Sequence, residues 1–358
     1  MKLLYKYIIA YFFKIFIVIN AVIIVITSIY GLADIFLSFK EVSFKLGAKY
    51  VILLIPFVFY YLSPLSYTSA SMILFKRLAD RKIDLTSQSF GISPYHFMLP
   101  LILLSLTISL FHLLMNEKVY PYIYKEIKHI EEKYKTRKAE HKKVARDIWF
   151  LKKVHGDKVY VYIKTIEIDS GRFLNLLMLR IGNDDRVKEI TEGDYGSWIG
   201  KKVNIKRGAY FNFLNANKNK KLVNESIEMG FDLKEISLLA ERIEFLPSSS
   251  LLFLFSKGRE IGIDVNQYLG ELLYRIGISF FTFFLFIPTA SNFLTSRKLK
   301  NSLIYFFFMT ITVWFFIAMS KILPSEANIT PIYVLFAYLG LLIYSLKRLY
   351  NMRKGVRI

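Results

Sequence analysis

The chain has 358 residues, 54% of them hydrophobic and 16% aromatic, with 49 Lys and Arg against 28 Asp and Glu and no Cys. The aromatic content excludes a low-complexity disordered chain, and the missing Cys excludes disulfides, CxxC redox chemistry and thiolate metal sites. A net charge of +21 suggests a soluble nucleic-acid binder, but the apolar residues gather into six uncharged runs of membrane-crossing length, which excludes that class.

Those runs are 15–33, 50–75, 95–116, 276–296, 301–320 and 327–346. A helix rises 1.5 Å per residue, so about 20 residues cross ~30 Å of hydrocarbon. The first run is longer than the apolar core of a cleaved signal peptide, about 7–15 residues, and is read as a retained span. With six crossings, both termini share a side with the loops at 76–93 and 297–300. These segments carry many Lys and Arg, among them Lys2, Lys6, Arg77, Arg81, Arg297 and Arg348, against only Asp80 and Asp84. The opposite short loops offer only Lys40, Lys45 and Lys49 in one and Lys321 in the other. Excess Lys and Arg mark the cytoplasmic side, which places both termini there. Anionic headgroups are then the natural partners of the surplus charge, and no nucleic acid is called for.

The loop 76–90 reads as a short amphipathic helix lying along the membrane, with Gly91 as the residue that ends it. It suits either a passive interfacial anchor or a docking element for an ATPase. Spans one to three make a first membrane half, 1–116. The intervening segment, 117–264, is expected on the outer side and has two textures. Residues 117–145 continue the third span as a helix, with Tyr120, Ile123, Ile127, Ile130 and Tyr134 on one stripe. From about 147 to 231 the period changes to two, punctuated by Gly156-Asp157, Ser170-Gly171 and Gly182-Asn183 turns. Strands at that spacing suit a sandwich, a jelly roll or an open curved sheet. Val159, Val161 and Ile163 should share one face, and Tyr160, Tyr162 and Lys164 the other. Ser248 then opens a short helix at 248–262. Residues 265–358 form the second membrane half, with a basic tail.

No Walker A, HExxH, GxSxG or GxGxxG pattern occurs, so neither an enzyme nor a cofactor site is expected. His96, His112, His129, His141 and His155 are scattered, none pairs with an acid at metal-ligand spacing, and they read as surface or interfacial residues. Glu271 and Arg275 are four apart at the outer end of the fourth span, where they suit either mutual pairing or an anionic lipid. No carboxylate sits mid-membrane, which argues against a proton-coupled carrier.

Leu78-Ala79, Gly91-Ile92-Ser93-Pro94 and Asn116-Glu117 followed by Pro121 resemble the pattern of the LptF/LptG permease family of the lipopolysaccharide exporter. Pro56, Pro64, Ile148-Trp149 and the series Tyr268, Leu272, Arg275, Pro288 also fit, and the resemblance covers nearly the whole chain. It implies an α-helical membrane protein with six transmembrane helices plus an inserted all-β, jelly-roll-like periplasmic domain, in the inner membrane of a diderm bacterium. It implies a non-catalytic permease subunit that extracts lipopolysaccharide. The implied partners are a cytoplasmic ATPase dimer, a paralogous six-helix subunit and a periplasmic jelly-roll bridge protein. Arg77, Arg81, Asp84, Gln88 and Gly91 become ATPase-coupling candidates, and Lys40, Lys45, Lys49 and Arg275 lipid-binding ones. One departure stands out: the family's acid falls eight residues before the glycine, where this chain has Ile83, and Asp84 is next to it. A step of one residue turns a side chain by about 100° on a helix. The alternative class is a membrane scaffold, or a mechanotransmitting ATPase-linked permease, whose outer β domain recruits periplasmic proteins.

Overall fold

A computed structural model of the chain describes residues 2–38, 43–135, 144–154, 157–167, 170–228, 238, 241–258, 265–326 and 330–353. It forms two compact units, one of residues 1–136 with 269–358 and one of residues 137–268.

The first unit holds the membrane helices. These are α1 (Lys2–Ser38), α2 (Phe44–Asp80), α4 (Tyr95–Lys135), α6 (Asn266–Ser296), α7 (Leu299–Glu326) and α8 (Ile332–Arg353), with the short α3 (Ile83–Ser89) between α2 and α4. All six long helices have the length and composition to cross a membrane. Ser43 caps α2, its hydroxyl accepting from the Leu46 N–H at 3.3 Å. Pro56, Pro64, Pro100, Pro121, Pro288 and Pro324 lie inside helices, which a membrane span tolerates when neighbouring groups satisfy the freed carbonyls.

α6 is the central element. In its apolar window 78% is buried, against 17% for α1. Phe281, Phe286 and Phe293 of α6 join Phe12, Tyr67, Phe75 and Phe97 in the core. The Tyr67 ring stands edge-on to Phe286 at 5.3 Å and tilted against Phe12 at 4.7 Å, which ties α1, α2 and α6 together. The stripe expected on the α4 extension is buried as Ile123, Ile127 and Ile130 against Ile35 and Tyr50. Tyr134 has its side chain outside the described residues, as do residues 136–145.

The second unit carries a six-stranded antiparallel sheet and α5 (Ser248–Lys257). The strands are β1 (Val144–Val154), β2 (Asp157–Glu167), β3 (Arg172–Ile181), β4 (Val187–Ile199), β5 (Lys202–Asn212) and β6 (Lys220–Glu228), each paired to the next in chain order. Of the arrangements the strand spacing admits, the described strands take the open curved sheet: a meander with no Greek-key crossover. Three strand steps at about 4.8 Å separate β1 from β4 by roughly 14 Å on a flat sheet. The Phe150 and Trp198 rings on those strands are 6.1 Å apart, so the sheet curls over its apolar face. Phe150, Val161, Ile163, Phe173, Trp198 and Leu222 fill the concavity.

A crease crosses this sheet. Pairing skips one residue per strand along a single line: Asp147, Lys164, Asn175, Asp194, Lys206 and Asn224. Asp147, Asn175 and Asn224 on that line have φ of 54°, 52° and 52°, the left-handed region that Asn and Asp tolerate best. Inward-facing positions therefore step by three across the crease instead of two. Ile163 and Ile166 are both buried, as are Phe173 and Leu176. In β4 the buried set is 191, 193, 196 and 198. Val161 and Ile163 face inward and Lys164 outward, as the alternation predicts, but Ile166 takes the inward place that strict alternation gives to Thr165. On β4 and β5 two inward positions close to the crease are glycines, because a Cβ on Gly196 would meet the Asn204 carbonyl at 2.2 Å and one on Gly208 the Glu192 carbonyl at 2.0 Å.

Candidate functional site

Two polar regions of the membrane unit bear on function. The first is the turn around α3. The stretch 76–90, expected as one amphipathic helix, is divided: 76–80 form the last turn of α2, and α3 occupies only 83–89. Leu74, Phe75 and Leu78 bind the end of α2 into the core, and Lys82, at φ 55°, turns the chain into a new axis. Arg77 belongs to this α2 end. Its guanidinium donates to the Tyr11 hydroxyl on α1 and lies 4.1 Å over the Tyr11 ring, so it braces α1 against α2. Arg81 is exposed and Gln88 half-buried.

Gly91 closes α3 in a Schellman motif. Its N–H donates to the Gln88 carbonyl at 2.9 Å, and the Ile92 N–H reaches back to the Ser87 carbonyl at 3.1 Å. The φ of +76° explains why glycine stands there, and nothing lies within 4 Å of where a Cβ would be.

Asp84 faces inward. It is 4% exposed, and its Oδ2 accepts from Nη2 of Arg297 at 2.8 Å. Its Oδ1 is buried without a hydrogen-bond partner. Arg297 sits at φ 54° in the two-residue turn between α6 and α7. On the sequence, Arg297 is one more basic loop residue, and no local signal singles it out. The outward side of α3 and its cap is Leu85, Thr86, Ser89 and Phe90.

The second region lies near the other ends of these helices. Lys45 is exposed, whereas Lys49 pairs with Glu126 on α4 at 2.7 Å. Lys40 lies outside the described residues. Arg275 is not at an exposed rim: it is 5% exposed, and its Nε donates to Glu271 at 2.9 Å. The i,i+4 spacing, read as open between lipid and self-pairing, resolves here into a buried pair. Glu271 also receives Lys321 from α7 at 3.0 Å. Below it, Asn116 on α4 donates to Ser279 on α6 at 3.1 Å and exchanges hydrogen bonds with Tyr60 on α2.

His112 departs from the expected surface histidine. It is fully buried, with Nε2 at 2.9 Å from the Ser63 hydroxyl and Nδ1 at 2.7 Å from the Tyr120 hydroxyl. Its neighbours three and four residues away are Ile108, Ser109, Met115 and Asn116, none of them the hydroxyl partner of its ring, so only the folded contacts reveal this role. Together these groups form a polar belt across α2, α4, α6 and α7 that fixes how the helices meet. Among the described residues, no group of three His, Asp or Glu side chains is placed to hold a metal ion.

In the second unit, the sheet encloses a groove of about 710 Å³ with Val161, Met178 and Leu222 on its walls and Arg180, Glu189 and Lys220 at its polar end. At that end Asp157 accepts from Lys188 at 2.8 Å and from Arg180 at 3.0 Å. The Lys188 ammonium, with Arg180 beside it, holds the Asp157 carboxyl below the usual carboxylate range.

Comparison with known proteins gives two results. Residues 6–351 match the family described as "Lipopolysaccharide export system permease LptF/LptG". The chain is also similar to an uncharacterized protein of Aquifex aeolicus (strain VF5), 31% identical over 357 residues that cover 99% of this chain and 100% of the relative.

Proposed function

The chain belongs to the LptF/LptG family of lipopolysaccharide export permeases, and from that premise we propose that it is one of two paired six-helix subunits of an ATP-driven exporter. It is a multi-pass inner-membrane protein. In this reading the termini and α3 face the cytoplasm, the sheet stands in the periplasm, and a separate ATPase dimer supplies the energy. The lipid leaves the inner membrane between the two subunits and passes to a periplasmic jelly-roll bridge protein.

One observation carries the reading: the family match spans 6–351, both membrane halves and the inserted sheet together. Physical arguments support it. Each methylene of an acyl chain costs about 0.8 kcal/mol to withdraw from the bilayer, so a multi-chain amphiphile needs an external energy source, and this chain holds no nucleotide motif. Ile17, Val22, Ile26 and Ile29 on α1 and Phe307, Ile311 and Phe315 on α7 leave apolar faces outward, suited to acyl chains and to a second subunit. Lys45 and Lys49, with Lys40, suit the anionic headgroup. Arg81, Gln88 and Gly91 remain the proposed ATPase contacts, with Arg77 and Asp84 acting from inside. Among the described strands β1 and β6 stand at the edges of the sheet, and either can extend a partner's sheet by strand addition.

The test is co-purification from native membranes, followed by mass spectrometry of subunits and lipid. An ATPase, a second six-helix subunit and lipopolysaccharide are expected together. A chain that purifies with neither ATPase nor lipopolysaccharide refutes the exporter.

A further inference from the structure

We propose that the Asp84–Arg297 ion pair is a mechanical tie that joins α3 to the α6–α7 turn, so that movement of α3 is carried directly into the second membrane half. This rests on the reading above that an ATPase acts on α3, and it assigns to Arg297 a positioning role in coupling.

Chain connectivity binds α3 only to α2 and α4, both in the first membrane half. The ion pair joins it to the other half at 2.8 Å, beside the packing of Ile83 against the shared apolar core. The Asp84 side chain is 5% exposed and that of Arg297 35%, so the pair spans interior and surface, and its separation is resisted more than that of a fully exposed pair. The receiving element is stiff. Arg297 is fixed by its own N–H to the Phe293 carbonyl at 2.8 Å, and the Ser302 hydroxyl bridges to Asn292 at 3.3 Å and to the Lys298 carbonyl at 3.2 Å. Displacement of Arg297 therefore moves the ends of α6 and α7 rather than a slack loop.

α6 is also the helix through which a displacement reaches the middle of the unit, since it is the most buried and carries Glu271, Arg275 and Ser279 of the polar belt. Oδ1 of Asp84 has no hydrogen-bond partner among the described residues, so Arg297 is the group that holds the carboxylate. Turned inward, Asp84 leaves Leu85, Thr86, Ser89 and Phe90 as the outward side of α3.

The experiment uses the assembled complex with its ATPase in liposomes. Asp84→Asn and Arg297→Gln should each leave ATPase co-purification unchanged and lower lipid extracted per ATP by at least about fivefold, the low end of coupling between sites. The exchange Asp84→Arg with Arg297→Asp should restore at least half of that ratio. Because the chain has no Cys, the pair Asp84→Cys with Arg297→Cys can be bridged by a short bis-maleimide with no other thiol of this chain to compete. Bridging should raise extraction per ATP above that of the unbridged pair. Normal coupling in both single variants, or no recovery in both the exchanged and the bridged forms, overturns the tie. Loss of ATPase binding in Arg297→Gln also overturns it and makes the pair a docking contact instead. Failure of the proposed function is read separately, as absence of an ATPase from the unaltered complex.

Discussion

Replacing Arg275 with Met is the most informative perturbation of the membrane unit. The Arg275 and Glu271 side chains are 6% and 7% exposed and 2.9 Å apart. Removing one partner of such a pair strands a buried charge at about 3–5 kcal/mol. Lys321 still reaches Glu271 at 3.0 Å but is itself 39% exposed, so it offsets only part of that cost. A net destabilisation of about 2–3 kcal/mol follows. Replacing both, Glu271→Gln with Arg275→Met, removes the stranded charge and should recover most of the loss, because two apolar or neutral groups of similar volume repay the lost pair. The assay is thermal unfolding of the purified protein in one mild detergent at fixed ionic strength. If Arg275→Met melts with the unaltered protein, or if the double variant is less stable than the single, the argument from burial is refuted.

Three further outcomes are expected. Single cysteines at Ser87 and Asn217, introduced into a chain that has none, should label from opposite sides of the membrane; labelling of both from one side contradicts the topology. Gly91→Val should destabilise the α3 turn by about 1–2 kcal/mol through its positive φ alone, since no atom lies near the added Cβ, and Gly91→Asn should cost less; protease protection of the 76–94 loop reads both, and equal protection in all three forms contradicts the cap. Asp157 is held below its ordinary range, so its contribution to the sheet is full above the unfolded pKa of about 3.9 and is lost as pH falls through the lower folded value. Asp157→Asn should flatten that acid limb of a pH-melting profile, and an unchanged limb assigns it to other carboxylates.

The sequence displays features whose cause is local. Six apolar runs are visible because a span must satisfy its own backbone and so cannot be short or interrupted by charge. The strands show through period two, and Gly91 shows because a positive φ narrows the choice of residue. Other features arise from contacts between distant segments. Lys164, Asn175, Asp194 and Lys206 look like ordinary outward residues one strand at a time, and only alignment of all six strands reveals the crease. Asp84 and Arg297 are each ordinary loop charges until the fold sets them together. His112 lies in an apolar run with its hydroxyl partners on Ser63 and Tyr120, neither adjacent in sequence. The division of 76–90 was hidden for a related reason. No Gly or Pro marks Lys82, and the turn there is imposed by the burial of Leu78 on one side and Ile83 on the other.

The crease has a mechanical meaning. A sheet resists bending across its strands because its ladder of hydrogen bonds must deform together with the backbone. Here the rungs are already missing along one row that runs through every strand, while the ladders on either side are continuous but for one irregularity between Arg180 and Ile181. The two halves behave as plates joined along a score line: compliance is gathered in one direction, and the plates themselves stay stiff. Opening or narrowing the trough then requires rotation at six aligned residues and breaks no strand pair. The groove can therefore change its width by that rotation while every strand stays paired to its neighbours.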